Sequence, residues 1–256
     1  MITFISCAKT MAMESHAGVP SFAEPQYIRH AEKIAEKLAA MSAEDLMDTL
    51  KVSPRIAEEN RARYTGIVHG EAELMPALSA YTGIVFKHIH PEDFSTEDWE
   101  YANRHLRITS FLYGLVKPLD MISPYRLEGN VTLWNGASGS VFRYWQPVLT
   151  DNFIREIKAD GGILMNLASG EMKKLFNWKK VESEVKVIQP EFLMRGNDGK
   201  AKTVTIYAKM CRGEMTRKII LDRIDNPEEL KDFRHDGFTF CPELSSDTKY
   251  VFIKEM

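Results

Sequence analysis

The chain has 256 residues, with 33 lysines and arginines against 36 aspartates and glutamates, a formal net charge of -3. Its 44% apolar and 27% charged residues match globular averages, which argues against a disordered or coiled-coil protein, and its length accommodates one or two domains. The slightly acidic balance excludes a protein that coats nucleic acid through bulk positive charge, but it leaves room for a local basic cleft.

The first half of the chain alternates short β-rich segments with amphipathic helices. Apolar residues at helical spacing, with serine or Ser-Pro at the helix starts, predict the helices. The predicted elements are a strand over 2–6, an irregular excursion over 11–25, helices over 27–38, 42–50 and 53–64, a short strand over 78–81, and a helix over 95–103.

The second half continues the same alternation, and glycines and turn residues separate its elements. The predicted elements are a strand over 107–112, a turn-rich block over 114–129, a helix over 139–158, a strand over 163–167, a hairpin of strands 185–194 and 202–207, a helix over 209–224, and a strand over 250–253. Because there is no internal repeat and no linker, the sequence predicts a single mixed α/β domain over residues 1–256.

The cysteines and the N-terminus indicate the compartment. Cys7, Cys211 and Cys241 are few, odd in number and far apart, which is typical of reduced thiols rather than of disulfides or a zinc site. The first residues lack a basic n-region, so no signal peptide is expected, and no stretch has the composition of a membrane span. The sequence therefore predicts a cytoplasmic protein with no membrane partner.

Four segments place a cation or a hydroxyl beside small residues just after a short predicted strand, where ligand crevices form in α/β sheets. They are residues 6–10, 117–126, 166–169 and 207–212. Lys209 and Arg212 lie near the start of a predicted helix, where the dipole disfavours cations, so an anion such as phosphate at that end would account for them. The alternatives are that both side chains extend into solvent and that Ser169 is only an N-cap.

The segment 43–64 resembles a helix-hairpin-helix, a DNA-binding element whose hairpin amides contact phosphates without reading sequence. The hairpin 51–53 lacks the glycines that usually allow close approach, and an αα-hairpin packed on the sheet is the alternative. Between residues 49 and 63 the cations outnumber Glu58 and Glu59; they are Lys51, Arg55, Arg61 and Arg63.

Other chemistry-bearing residues give weaker patterns. His88 and His90, followed by Glu92 and Asp93, would share a face on a strand and suggest metal ligands, but no third ligand at a telling spacing follows, and a surface loop is the alternative. Cys7 suggests either a thiolate or a small buried side chain. Since no standard catalytic motif occurs, the sequence predicts no metal site and no cofactor.

Several of these segments, in order along the chain, resemble the YaaA family of bacterial peroxide-stress resistance proteins from Ile2 to Phe252. The matching blocks are residues 5–10, 105–107 with 112–114, 118–120, 124–128, 166–169, 207–209 and 212–217. The resemblance implies a cytosolic protein, induced by hydrogen peroxide, that limits damage to DNA and protein by lowering free iron. It also implies one compact mixed α+β domain, with a central mixed sheet flanked by helices, a positively charged cleft and a preference for duplex or distorted DNA.

The resemblance also implies which residues line the cleft. Carried over position by position, they are Lys9, Arg107, Tyr125, Arg126, Ser169, Tyr207, Lys209, Arg212 and Arg217. With Lys117 and the cations of segment 43–64, the basic members form the expected DNA- or anion-binding set. The chain departs from the family in having Cys7 in place of a proline, Lys117 in place of an arginine, and Met172 in place of a tyrosine.

An alternative function is an enzyme that acts on a nucleotide-like or phosphorylated small molecule in the same cleft. Lys9 would then be a nucleophile or an electrostatic catalyst, and Tyr125 or Tyr207 a general acid, with Ser169 as a further candidate. The sequence leaves the choice between DNA and a phosphorylated small molecule open.

Overall fold

The first strand, Ile2–Ile5 (β1), is buried along its whole length and pairs in parallel with a strand on each side. A short apolar run of this kind needs cover on both faces, so it occupies the middle of a sheet flanked by helices. The structure is a computed structural model that describes residues 1–12, 22–134, 139–196 and 198–255. Part of the predicted excursion over 11–25, residues 13–21, lies outside the described residues.

Within the described residues, eight strands form one sheet and four more form two short ribbons. After β1 the strands are Thr10–Met11 (β2), Met75–Pro76 (β3), Tyr81–Thr82 (β4), Leu106–Ser110 (β5), Gly114–Val116 (β6), Met121–Ile122 (β7), Ile163–Asn166 (β8), Lys186–Arg195 (β9), Ala201–Lys202 (β10), Thr239–Phe240 (β11) and Lys249–Glu255 (β12). The sheet order is β11-β12-β9-β8-β1-β5-β6, with β10 paired to β9. Strands β5, β1, β8, β9 and β12 run parallel, and the outer pairings are antiparallel, so the sheet is mixed.

Helices cover the sheet and complete one continuous apolar core. They are Ile28–Ala39 (α1), Ala43–Leu50 (α2), Pro54–His69 (α3), Ala77–Ala80 (α4), Ile84–Ile89 (α5), Thr96–His105 (α6), Val141–Ala159 (α7), Trp178–Glu184 (α8) and Thr205–Leu221 (α9). Ser42 and Ser95 cap α2 and α6 through their side chains, as the sequence predicts. The expected fold, one compact mixed α/β domain with a central mixed sheet flanked by helices, is confirmed.

Three local predictions are wrong. Residues 78–81 are predicted as a strand, but a helical turn occupies most of them and the strand begins at Tyr81. Residues 202–207 are predicted as a strand, yet β10 ends at Lys202 and the next helix begins at Thr205. The segment containing His88 and His90 is the end of helix α5, so the two imidazoles do not share a strand face.

The strand order creates a crevice beside β1. The chain leaves β1 toward β5 on one side, and it later leaves β8, on the other side of β1, toward β9. Neighbouring parallel strands whose connections run in opposite directions leave a crevice at their carboxyl ends, where ligands bind in α/β proteins. The loops after Ile5 and Asn166 therefore border the place where a ligand site is expected. None of the described helices combines the length and apolar character needed to cross a bilayer.

Candidate functional site

The loops after β1 and β8 are joined across this crevice. The amide of Ser169 donates a hydrogen bond of 2.9 Å to Oγ of Ser6, and the two hydroxyls lie 3.4 Å apart. The buried side chain of Asn166 shapes the second loop, because its Oδ1 accepts from the amide of Ala168 at 3.1 Å and its Nδ2 donates to Gln189 at 2.7 Å. The carboxyl ends of the two strands are thus held at a fixed spacing.

A cavity of about 420 Å³ lies at these strand ends and is here called the strand-end cavity. Its walls come from the loops after β1, β5 and β8, from the start of α5, from residues 125–128, and from α9. Six of the predicted site residues line it together: Lys9, Tyr125, Arg126, Ser169, Lys209 and Arg212. Lys9 and Ser169 follow β1 and β8, whereas Lys209 and Arg212 come from helix α9.

Arg212 is the most unusual cation of the strand-end cavity. Its buried Nε has no hydrogen-bond partner among the described residues, and burial lowers the pKa of its guanidinium. Lys209 lies one turn earlier on α9 and is exposed. Since α9 begins at Thr205, both cations lie beyond its first turn, where the helix dipole has little effect. The helix dipole therefore gives no reason to expect an anion beside these two cations. The reason is instead the Nε of Arg212, which is buried without a hydrogen-bond partner among the described residues.

Lys9 and Arg126 share a single carboxylate at the mouth of the cavity. Oε1 of Glu128 lies 3.0 Å from Nζ of Lys9 and 3.0 Å from a terminal nitrogen of Arg126. Arg126 also donates to the carbonyl of Lys9 at 3.2 Å, while its buried Nε has no hydrogen-bond partner in the described part of the chain. Two cations against one carboxylate leave this corner positive.

The helix-hairpin-helix-like segment borders the same corner. Lys51 ends α2 in the left-handed conformation, with φ of 53°, and the 51–53 hairpin leads directly into α3. A groove, here called the hairpin groove, is lined by Lys51, Arg55 and Arg63 from this segment and by Lys9 and Arg126. Because Lys9 and Arg126 line both the groove and the strand-end cavity, the two form one continuous basic surface.

Within the groove, Glu59 neutralises part of the charge. Its carboxylate lies 3.7 Å from Arg55 and also pairs with Arg63 one turn later in the helix. Arg55 is largely exposed despite this pair, so its guanidinium can exchange the carboxylate for another anion at little cost. Arg61, the remaining predicted cation of this segment, is exposed and does not line the groove.

Two residues considered for chemistry, the buried Tyr125 and the half-buried Cys7, are held by hydrogen bonds in the wall of the strand-end cavity. The hydroxyl of Tyr125 contacts that of Tyr81 at 2.9 Å and Oγ of Ser110 at 2.8 Å, and burial raises its pKa, which makes it a poor proton donor. Burial raises the pKa of the Cys7 thiol to about 12, and the Cys7 amide donates to Thr109 at 2.9 Å. The geometry favours a packing role for both.

Besides Arg61, four predicted site residues lie away from the strand-end cavity and the hairpin groove. Arg107, near the start of β5, donates to Glu156 at 2.6 Å and to three backbone carbonyls, and it borders a separate cavity with Lys117. Arg107 is buried, so its donors are committed to the fold.

The other two lie on α9. Arg217 forms two hydrogen bonds of 2.9 Å with Asp93 and donates to the carbonyls at the end of α5. The ring of Tyr207 packs against Phe238 and lies under the Lys254 ammonium, 5.2 Å from the ring centre. The sequence predicts that this helix begins at residue 209, which would leave Tyr207 at the end of a strand. Helix α9 begins four residues earlier, at 205, so Tyr207 lies in its first turn.

The sequence reasoning misses three residues of the site. It predicts Ser6 only as part of the segment 6–10, although the position of Ser6 directly after a buried strand indicates a site residue. Glu128 and Glu171 also line the strand-end cavity; Glu128 stands in the family-like block 124–128 but is assigned no role, and Glu171 has no pattern of its own. The predicted histidine pair is also separated, since His90 contacts Asp93 at 3.1 Å whereas His88 contacts Glu214 at 2.8 Å.

Comparison with known proteins agrees with the resemblance drawn from the sequence blocks. Residues 1–244 match the family described as peroxide stress protein YaaA. A UPF0246 protein of Phocaeicola vulgatus is 54% identical over 252 residues, 98% of each chain, and one of Bacteroides fragilis is 52% identical over the same shares. One of Clostridium beijerinckii is 35% identical over 257 residues, covering 100% of this chain and 98% of the relative. The chain therefore belongs to the peroxide stress protein YaaA family.

Proposed function

We propose that this chain acts in the cytoplasm during hydrogen peroxide stress by binding duplex or distorted DNA through its basic surface, and that it limits the free iron that damages DNA and protein. The family description supports the oxidative-stress role. The part of the proposal that concerns iron rests on the family resemblance. The observation that carries DNA binding is the convergence of five cations on the hairpin groove in a chain whose net charge is -3.

The hairpin supplies backbone donors as well as charge. No side chain caps the start of α3, because the hydroxyl of its N-cap residue Ser53 accepts no hydrogen bond from the helix. Pro54 at the first position has no N–H, so the amides of Arg55 and Ile56 in the first turn are the backbone donors available to an anion, and the helix dipole favours negative charge there. Arg55 in that turn and Lys51 just before it add positive charge around the same point. A backbone phosphate fits this combination of donors without any reading of base sequence.

The test is the salt dependence of binding to a fluorescently labelled DNA duplex, measured by anisotropy. Affinity is expected to fall steeply with salt, and Lys51→Gln and Arg55→Gln are each expected to reduce the logarithmic slope by about one, the change for one lost phosphate contact. Arg29→Gln is the matched control, since it removes one exposed cation from α1, outside the groove. Binding that ignores salt, or an equal loss with Arg29→Gln, would contradict the proposal.

A second candidate function is supported by the strand-end cavity itself. Its volume of about 420 Å³ falls within the range of about 300–1,000 Å³ typical of small-molecule sites, and it lies at the switch point of the sheet. The unpartnered Nε of Arg212 points to a small anionic ligand, such as a phosphorylated or nucleotide-like molecule, that an enzyme would process. Lys9 and Ser169 are the groups available for electrostatic stabilisation or nucleophilic attack.

Thermal-shift measurements with inorganic phosphate and with nucleotides test this second function. A ligand of the folded state raises the melting temperature by mass action. The ligand-induced rise in the melting temperature of the wild type is expected to disappear in Arg212→Gln and to persist in Arg29→Gln. It should also persist in Lys51→Gln if the strand-end cavity and the hairpin groove bind independently. If no phosphorylated compound shifts the wild type, or if Arg212→Gln responds as the wild type does, the cavity is not a phosphate site.

A further inference from the structure

A second cluster of ligating side chains lies outside the basic surface. His88 of α5, Glu214 of α9 and His235 of the turn before β11 bring their ligand atoms within 4.8 Å of one another, the one such group of three among the described residues. The three residues are far apart in sequence, so no local sequence motif predicts the cluster. Two imidazoles and a carboxylate are a donor set that Zn²⁺ and other divalent first-row transition metals bind.

The distances suit a single ion. Nδ1 of His88 lies 2.8 Å from Oε1 of Glu214, and Nδ1 of His235 lies 4.0 Å from the same oxygen. With metal–ligand bonds of about 2.0–2.1 Å, the ligand atoms of a tetrahedral site lie about 3.4 Å apart. Each of the two observed separations differs from this value by about 0.6 Å, and all three ligand atoms lie within 4.8 Å of one another, so small side-chain movements bring them onto one ion.

The negative charge of Glu214 in this cluster is not balanced by a lysine or an arginine among the described residues. Among the described residues, Glu214 has no lysine or arginine partner and faces only the two imidazoles. The nearest other acid of the turn, Asp236, is already paired with Lys254 at 2.9 Å. A half-buried carboxylate between two imidazoles, with no fixed positive charge, is an environment that a divalent cation would complete.

The backbone holds the three residues in place independently of any ion. Helix α9 approaches α5 so closely at Gly213 that an added Cβ would lie 2.4 Å from the carbonyl oxygen of Val85 and 2.6 Å from Cβ of His88. His235 is fixed by a tight turn, in which the amide of Phe238 donates to the carbonyl of His235 at 2.8 Å. Such preorganisation is what a metal site requires of its scaffold.

We infer that His88, Glu214 and His235 form a binding site for a divalent first-row transition metal ion of the Zn²⁺ class, which joins α5, α9 and the turn before β11. Three protein ligands leave a coordination position for water or a small ligand. The site uses none of the residues assigned to DNA or phosphate binding, so the experiments on metal binding and on the proposed function have independent outcomes.

Zinc titration of the full chain, stripped of metal with a chelator, tests the site. One Zn²⁺ per chain is expected for the wild type and for His90→Ala, the matched control, because His90 lies close in sequence but pairs with Asp93 instead. Glu214→Gln and His235→Ala are expected to lower zinc affinity by at least about 10-fold, since losing even a group that only orients a ligand costs about 10–100-fold. Zinc should also raise the melting temperature of the wild type more than that of either variant.

A Co²⁺ spectrum keeps the inference testable if a variant fails to fold. The intact chain is expected to give the strong visible absorption of cobalt in a tetrahedral site, which added Zn²⁺ removes. Absence of any protein-dependent cobalt absorption, stoichiometric zinc binding unchanged in Glu214→Gln, or an equal loss in His90→Ala would each overturn the site. His88 and Glu214 would then form an ordinary hydrogen-bonded histidine–carboxylate pair.

Discussion

The amide of Ser169 lies 2.9 Å from Oγ of Ser6, and this contact connects two loops that are 163 residues apart in the chain. The same hydroxyl of Ser6 lies within 3.4 Å of the hydroxyl of Ser169. Both residues line the strand-end cavity at the point where the connections of β1 and β8 diverge. The half-buried hydroxyl of Ser6 therefore extends the contact between β1 and β8 into their loops and helps to fix the spacing of those loops.

Ser6→Ala is expected to destabilise the protein. The substitution leaves the amide of Ser169 without its acceptor in a partly buried position, which costs about 1–2 kcal/mol of unfolding free energy. Ser183→Ala is the control, because its exposed hydroxyl only donates to a carbonyl one turn earlier, and a change within about 0.5 kcal/mol is expected. Urea unfolding curves measure both values, and equal losses in the two variants would refute the special role of Ser6.

The sequence is most informative where local patterns and tertiary packing agree. Strand β1 is short, β-rich and buried, and Ser42 and Ser95 indicate the serine-capped starts of α2 and α6. The sequence is misleading at residues 203–206, where β-branched side chains favour a strand. Thr205 and Ile206 instead begin α9, although both are exposed, and the helix packs closely against α5 only further along, at Gly213. Local β propensity at the start of the helix therefore does not decide its conformation.

The candidate site is predictable in part for the same reason. The rule that parallel strands end at one edge of the sheet brings Lys9 and Ser169 together after β1 and β8, whereas Arg212 reaches the same cavity from helix α9. The rule cannot indicate how side chains from helices and loops pair. Arg107 contacts Glu156, 49 residues away, and His88 contacts Glu214, 126 residues away. Such pairs depend on packing angles that no local periodicity encodes.

Lys51→Gly is expected to have opposite effects on stability and on DNA binding. Lys51 adopts a φ of 53°, a left-handed conformation that costs a residue with a Cβ about 1 kcal/mol more than glycine, so the glycine variant should be more stable by about that amount. It also removes a cation from the hairpin groove, which should lower the salt slope of DNA binding by about one.

The control for this substitution is Lys33→Gly. Lys33 is an exposed residue inside α1, where glycine is expected to destabilise by about 1 kcal/mol, with no effect on the salt slope. Denaturation curves and anisotropy titrations on the same preparations supply both quantities. A loss of stability in Lys51→Gly would show that the left-handed position carries no strain.

Asp120 is expected to make stability decrease as pH rises through the acidic range. Burial raises the pKa of its carboxyl from the ordinary value of 3.8 to about 6, even though its Oδ2 accepts from the amide of Lys117 at 2.8 Å. Between these two values the unfolded chain releases a proton that the folded chain retains, so the contribution of Asp120 is complete below about pH 4 and is lost as pH rises to about 6. The loss is on the order of 2–3 kcal/mol.

Asp120→Asn isolates this effect, because asparagine keeps an acceptor for the Lys117 amide but does not titrate. The difference in unfolding free energy between wild type and variant should shift in favour of the variant between about pH 4 and pH 6. It should then stay constant up to neutral pH. A difference that does not change with pH in this window would mean that Asp120 ionises as it does in the unfolded chain.

Gly213→Ala is expected to be strongly destabilising, because the added Cβ would lie 2.4 Å from the carbonyl oxygen of Val85 and 2.6 Å from Cβ of His88. These neighbours are a backbone atom and the base of a side chain, so relief requires α9 to move away from α5, at a cost of about 1–3 kcal/mol or more. Gly170→Ala is the control, since a Cβ added there would meet no described atom within 4 Å and its φ is not positive. The melting temperature should fall clearly in the first variant and change little in the second. Gly213→Ala should also weaken zinc binding, because the close contact between α9 and α5 that it disrupts holds His88 beside Glu214. An unchanged melting temperature would show that the two helices do not require this close approach.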